Sequence, residues 1–250
     1  EWMDISILIT VKNDLENIKR LLTSLDKQQD SEYELVIVDG NSTDGTHEFL
    51  EASKEKYKIV LGKKPGNRAV GRNECIRLSS GKKLVFLDSD SEVPIGWLST
   101  LREYIDKDIV AGKIFQKSNN RWGDLGRVPM YYNGKDVTYP TNNLMISRYI
   151  FEKIGLFDEQ FITAEDIDIN IRAIKEGFNI IYVESLFIYH YPRTTYFSVL
   201  KQSYYDGAGR RLINRKHNLK SEFNIDNLKN HPIIEISRLT FGMLGYLIGV

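Results

Sequence analysis

Asp88-Ser89-Asp90 is the acidic pair in this chain whose setting most suggests chemistry. The chain has three D-x-D pairs, the others being Asp106/Asp108 and Asp166/Asp168. Only Asp88/Asp90 directly follows an apolar run, Lys83–Asp88 (KLVFLD), of the kind that forms a buried strand. Two carboxylates at such an end offer hard oxygen ligands to Mg2+ or Mn2+, with phosphates filling the remaining positions. The bland alternative is a pair of solvated turn aspartates. Asp39 ends a second run, Glu34–Asp39 (ELVIVD). It is either a turn residue working with Ser42 and Thr43 or an acceptor for a nucleobase or ribose. Glu165-Asp166 opens a helix-like stretch, where the macrodipole already favours acids. A carboxylate there that faced a hydroxyl could equally act as a general base. His190 ends another short run, and a lone histidine is more often structural than a ligand. His47, His217 and His231 read as surface or turn residues with no role, and Cys75 as a small core residue.

Strands and helices alternate around these residues. Ile5–Val11 (ISILITV), Glu34–Asp39, 57–61 and Lys83–Asp88 read as buried strands. Asn13 and Glu16 resemble a capping box, and Ile18, Leu21, Leu22 and Leu25 follow at helical spacing. The stretch 41–46 (NSTDGT) is a turn leading into a helix to about Lys56, and the loop 62–67 leads into a helix over 69–78. Continuous apolar strands between helices predict a parallel sheet covered on both faces, with ligands at the strands' carboxyl ends. Thr10 to Asn13, Asp39 to Ser42, 62–67 and Asp88 to Asp90 all fall there.

The second half is less regular. A helix from Pro94 to about Tyr104 and strands at 109–113, 143–147, 179–183 and 187–190 are expected. Helices are expected at Glu165–Lys175 and 195–211, and the polar stretch 118–140 has weak periodicity. The 250 residues fit one large domain or two small ones. Lys+Arg 34 balances Asp+Glu 34, which argues against a nucleic-acid binder. One cysteine excludes an internal disulfide and fits a reducing compartment. No signal peptide is evident in the first 30 residues. Arg210, Arg211, Arg215, Lys216 and Lys220 lie in an acid-free stretch, 207–221, and an apolar end follows Arg238. That end is too short to span a bilayer, which takes about 20 residues.

Six stretches together resemble the inverting glycosyltransferases of family 2, which have the GT-A fold. They are ISILITVKND, ELVIVDGNSTDGT, AVGRNECIRLSSGKKLVFLDSDSEV, TNNLMISRYIFEKIGLFDEQF, AEDIDINIRAIKEGF and HYPRT, in the family's order over about residues 4–210. The resemblance implies an α/β fold with a mostly parallel central sheet, helices on both faces and C-terminal helices. It implies that Thr10, Val11, Asn13, Asp39 and Arg72 hold the nucleotide. Asp88, Ser89 and Asp90 would form the D-x-D, with Asp90 the direct ligand of Mn2+ or Mg2+ and His190 a third ligand. Asp166 would be the catalytic base and Glu165 would shape the acceptor site. Asn142 and Asn143 would lie under the donor sugar, and Arg193 could add a bidentate phosphate contact.

The expected activity is transfer of one sugar from a UDP- or GDP-linked donor to an acceptor hydroxyl or lipid phosphate, with inversion, in glycan or glycolipid assembly. Processive relatives carry Q-x-x-R-W, whereas this chain has Gln202-Ser-Tyr-Tyr-Asp, so a single transfer is expected. The expected division is a catalytic domain over 1–212, with a nucleotide-binding half to 92 and an acceptor-side half over 93–212, and a basic and apolar segment over 213–250. That segment would bring the protein to the cytoplasmic face of a membrane, or belong to a membrane protein. Two rival readings are a nucleotide-sugar-binding module without turnover and a phosphatase of the haloacid dehalogenase type, for which VFLDSD also fits.

Overall fold

The computed structural model describes residues 4–29, 32–117, 129–191, 195–219 and 232–249. The first half follows the expected alternation. β1 (Ile5–Val11), α1 (Leu15–Asp26), β2 (Glu34–Asp39), α2 (Thr46–Tyr57), β3 (Ile59–Lys63), α3 (Arg68–Leu78) and β4 (Lys83–Asp88) succeed one another. The third strand begins two residues later than expected, because α2 keeps its turns through Tyr57 before Lys58 closes it in the left-handed conformation. The capping box does not form. Asp14 holds the cap position of α1, and Asn13 is left-handed with its Oδ1 accepting from the Thr43 N–H at 2.8 Å.

The second half holds β5 (Ser91–Glu92), α4 (Trp97–Arg102), β6 (Ile109–Gln116), β7 (Tyr131–Tyr132), β8 (Lys135–Asp136) and β9 (Leu144–Ser147). Then come α5 (Arg148–Ile154), α6 (Glu165–Lys175), β10 (Ile180–His190), α7 (Tyr196–His217) and α8 (Pro232–Ile248). The two strands expected at 179–183 and 187–190 are one strand, β10, whose register against β6 shifts between Val183 and Phe187. α5 was not expected. Its seven residues follow β9 directly, too short a run for helical periodicity to show. α7 continues through position 212, where the catalytic and C-terminal segments were expected to divide.

One sheet runs β3-β2-β1-β4-β9-β6-β10-β5. The pairs β1/β2, β1/β4, β2/β3 and β6/β10 are parallel, while β9 is antiparallel to both neighbours and β5 to β10. Strand side chains alternate between two cores. Ile7, Ile9, Ile37 and Val85 pack with α1 and with Trp97, Leu98 and Leu101 of α4. Leu8, Val36, Leu84 and Phe86 pack with Ala69, Cys75, Ile150, Phe151 and Ile169 on the other face. Burial pushes the Cys75 thiol up to about 12, so it is an inert core group, as expected. A third cluster joins Met130 and Val137, which flank the β7/β8 hairpin, to Ile171, Ile174 and Ile213.

Candidate active site

The parallel register sets the site. Thr10 pairs with Asp88, Val11 with Asp39 and Asp39 with Lys63, so four strands deliver their last residues to one sheet edge. A cavity of about 940 Å³ opens there. Its walls include Thr10, Val11, Asp88, Ser89, Asp90 and His190, and its far side is built by α7.

Asp39 is fully buried and accepts from both the N–H and the hydroxyl of Ser42, while the His47 ring stands 3.3 Å away. It therefore does the turn-forming work weighed for it, and it does not line the cavity. Asn13 likewise joins the β1 and β2 loops, its N–H donating to Ser42 Oγ at 2.8 Å. Ser89 donates to Asp14 Oδ2 at 2.7 Å, which fixes the D-x-D turn against the β1 loop. Asn142 lies beneath that turn, its Oδ1 accepting from the Asp88 N–H at 3.1 Å and the Ser91 hydroxyl at 2.9 Å. Asn143 is consumed by the fold. It accepts from Trp97 Nε1 at 2.9 Å and donates to the Leu186 carbonyl at 2.9 Å. Arg193 lies outside the described residues.

Arg72 departs most from expectation. It is buried rather than turned to the cavity, and one guanidinium bonds both Asp88, at 3.0 Å, and Glu165. Burial disfavours its charge, but Glu165 and Asp88 outweigh that and keep it cationic. Burial also disfavours ionised Asp88, and the Arg72 charge overrides it, holding Asp88 below its usual range. Glu165, 3 % exposed, is thereby paired inside the protein.

Asp166 is set differently. Ala164 enters α6 in the left-handed conformation, rare for a residue with a Cβ and found where surroundings hold it. The loop before it is held from two sides. Asn67 of the α3 cap donates to the Glu159 and Phe161 carbonyls, and Thr163 donates to the Tyr205 carbonyl at 2.8 Å. Burial, then the adjacent Glu165 charge, raises the Asp166 carboxyl to about 7.

Asp90 and His190 face one another at the other end. His190 Nε2 is 3.1 Å from Asp90 Oδ1, while its Nδ1 is 2.8 Å from Gln116 Oε1. Burial disfavours the imidazolium, but the bond to Asp90 outweighs it and raises the ring's pKa. Asp90 Oδ1 is buried, with the His190 ring as its one neighbouring partner among the described residues. A carboxylate oxygen beside an imidazole nitrogen is a donor set that suits a divalent cation. Among the described residues no group of three or more acids, histidines or cysteines forms a closed metal cage.

His217, expected at the surface, is buried. Its Nε2 bonds Asp168 Oδ1 at 2.8 Å, and Asp168 also holds Arg172 and Lys216. The third D-x-D thus divides between Asp166, which is half-buried behind the cavity wall and not among its lining residues, and a structural acid, Asp168. Arg211 donates to the Leu247 and Gly249 carbonyls and so caps α8, which leaves less of the basic stretch facing solvent than expected.

The model of glycosyl transferase family 2 matches residues 6–161. The chain belongs to glycosyl transferase family 2. A second model, glycosyl transferase family group 2, matches residues 84–244. Glycosyltransferase AglE of Haloferax volcanii is 27 % identical over 221 residues, covering 82 % of this chain and 72 % of AglE. Among solved structures, the mannosyltransferase PcManGT of Pyrobaculum calidifontis, in complex with GDP-Man and Mn2+, superposes with TM-score 0.66 at 16 % identity, covering 97 % of this chain and 73 % of that one. S. aureus TarS in complex with UDP-GlcNAc superposes with TM-score 0.65 at 19 % identity, covering 96 % and 79 %. These likenesses show the GT-A fold, and the family match displaces the phosphatase reading of VFLDSD. In this transferase, sequence reasoning missed the cleft wall made by Arg68, Thr163, Lys201, Gln202, Asp206 and Arg238. Polar residues outside the apolar stripes leave no periodic signal, and only the fold brings them to one cleft.

Proposed function

We propose that this transferase moves one sugar from a nucleotide-diphosphate sugar to an acceptor hydroxyl or lipid phosphate, with inversion and with Asp166 as the base. The observation that carries this reading is the contrast between neighbours. Glu165 is ion-paired and unavailable, whereas Asp166 has a carboxyl raised to about 7, near the optimum for proton transfer at neutral pH. Asp90 and His190, with Asp88, would hold Mn2+ or Mg2+, which when bound neutralises charge developing on the diphosphate. Asp166 takes the acceptor proton as the acceptor oxygen attacks the anomeric carbon, and a single displacement inverts that centre. Arg72 keeps Asp88 ionised and Glu165 paired. GDP-Man and Mn2+ in PcManGT and UDP-GlcNAc in TarS support a nucleotide-sugar donor.

A membrane-surface location rests on α8. Glycines pack it on α7. A Cβ on Gly207 would stand 1.9 Å from the Gly242 carbonyl oxygen, and one on Gly245 would stand 1.8 Å from that of Tyr204. The opposite side exposes Ile236, Met243, Leu244, Leu247 and Ile248. No described helix is long and apolar enough to cross a membrane, so the reading is contact with an interface, alongside a glycan or lipid-linked acceptor.

A thermal-shift screen of UDP- and GDP-sugars with Mn2+ tests the donor class, since a bound ligand raises apparent stability. A shift with one nucleotide family, followed by its release as diphosphate on adding acceptor, is the expected result. Binding with no release under any acceptor would favour a binding module, and no shift with any donor would refute the reading.

A further inference from the structure

We infer that Arg68 is a catalytic residue that contacts the donor's diphosphate and stabilises it as the leaving group. The inference rests on the nucleotide-sugar reading above. Arg68 is the first residue of α3 and is exposed in the wall of the cleft. It makes no hydrogen bond or salt bridge among the described residues, although acids surround it. Its charge acts on Asp88 and His190 at the D-x-D end, on Asp166 at the base, and on Asp206 of α7. It stands in the same cleft wall as Asp88, Asp90 and His190 of the D-x-D end and Asp206 of α7.

Arg72, one helical turn further along α3, gives the contrast. Its guanidinium is buried and consumed by Glu165 and Asp88. Two arginines four residues apart on one helix share a face. The inner one neutralises the site's own acids, and the outer one remains for an anion that arrives with substrate. Lys12 and Lys64 also line the cleft, and each offers a point charge where Arg68 offers a fork. In the transfer, the bond from the anomeric carbon to the terminal phosphate oxygen breaks and its electron pair stays on that oxygen. The acceptor oxygen forms the new bond, and its proton goes to Asp166. The negative charge gained by the leaving diphosphate is what a forked guanidinium stabilises.

The test compares wild type, Arg68→Gln and Arg68→Lys for binding of UDP, GDP, UMP and GMP with Mn2+, and for turnover of the donor found in the screen. Wild type is expected to prefer one diphosphate over its monophosphate. Arg68→Gln is expected to lose about 10-fold of that preference and about 10²-fold in turnover, with an unchanged melting temperature. Arg68→Lys is expected to recover part of the affinity and less of the turnover, because a point charge lacks the fork. An unchanged preference in Arg68→Gln overturns the inference, and if turnover nonetheless falls, Arg68 belongs to the acceptor. Wild type that binds none of the four nucleotides overturns the nucleotide-sugar reading itself, a separate failure.

Discussion

Glu165 and Asp166 are adjacent in the chain and opposite in chemistry. Glu165 is buried and bonded to Arg72, whereas Asp166 is raised to about 7 by burial and by that same Glu165. One acid is spent holding α6 to α3, and the pair's repulsion tunes the other. This division of labour makes a neutral-pH base from residues that a first helical turn would otherwise use only to offset the macrodipole.

The Arg72 bridge is expected to carry stability as well as position. Arg72→Leu leaves Glu165 buried without its cation, and removing one partner of a buried pair costs about 3–5 kcal/mol. Glu165→Gln keeps a hydrogen-bond acceptor for Arg72 and should lose less. Urea unfolding of the two variants checks this, and a loss below about 1 kcal/mol for Arg72→Leu would contradict the assignment.

Asp166 gives a pH dependence of definite sign. Its folded pKa, about 7, lies above the ordinary value of 3.8. Between those values the folded state holds a proton that the unfolded state has released. The group's contribution to stability is thus fully present below 3.8 and lost as pH rises to about 7. Asp166→Asn should therefore be more stable than wild type at pH 8, and the two should converge towards pH 4. Wild-type kcat/KM should rise with pH about a midpoint near 7, because only the ionised base accepts a proton. A rate independent of pH between 5 and 8 would count against the base.

How much of this was legible in the sequence depended on the kind of signal. β1, β2 and β4 were readable to the residue, because apolar strands covered on both faces are short, continuous and bounded by turn residues. The Asp88 to Asp90 turn followed from the strand before it. Arg72 was legible as a site residue but not in its role. Whether an arginine faces a ligand or two buried acids depends on how closely α3 approaches α6, and nothing local to GRNE encodes that. The buried His217–Asp168 pair was hidden for the same reason, since 49 residues separate its members. The basic run 207–221 read as a free polycation, yet Lys216 pairs with Asp158 and Asp168 and Arg211 caps α8.

That last difference changes the expected membrane behaviour. Arg211 and Lys216 have internal partners, so liposome binding should depend on the apolar stripe of α8 and respond weakly to salt. Leu247 and Ile248 are 62 % and 65 % exposed, and serine at both should abolish flotation with liposomes, each large side chain contributing about 1.5–3 kcal/mol when fully buried. Binding that survives these changes but vanishes at high salt would restore the polybasic explanation.

Asp90→Ala is expected to abolish transfer and weaken donor binding with Mn2+ while leaving the fold intact, since the residue lies in a turn past the end of β4. Excess EDTA should do the same to wild type, with Mn2+ or Mg2+ restoring activity. Full turnover in either condition would remove the metal from the account.

The most direct test is transfer by Asp166→Asn under single-turnover conditions, with donor affinity measured in parallel. Asparagine keeps the shape and cannot take the proton. Transfer is expected to fall by about 10²–10⁴-fold while donor affinity stays within about twofold of wild type, because the base acts on the acceptor's proton and not on the diphosphate. Near-normal transfer by Asp166→Asn would contradict the base assignment and return Asp166 to the role of a helix-start acid.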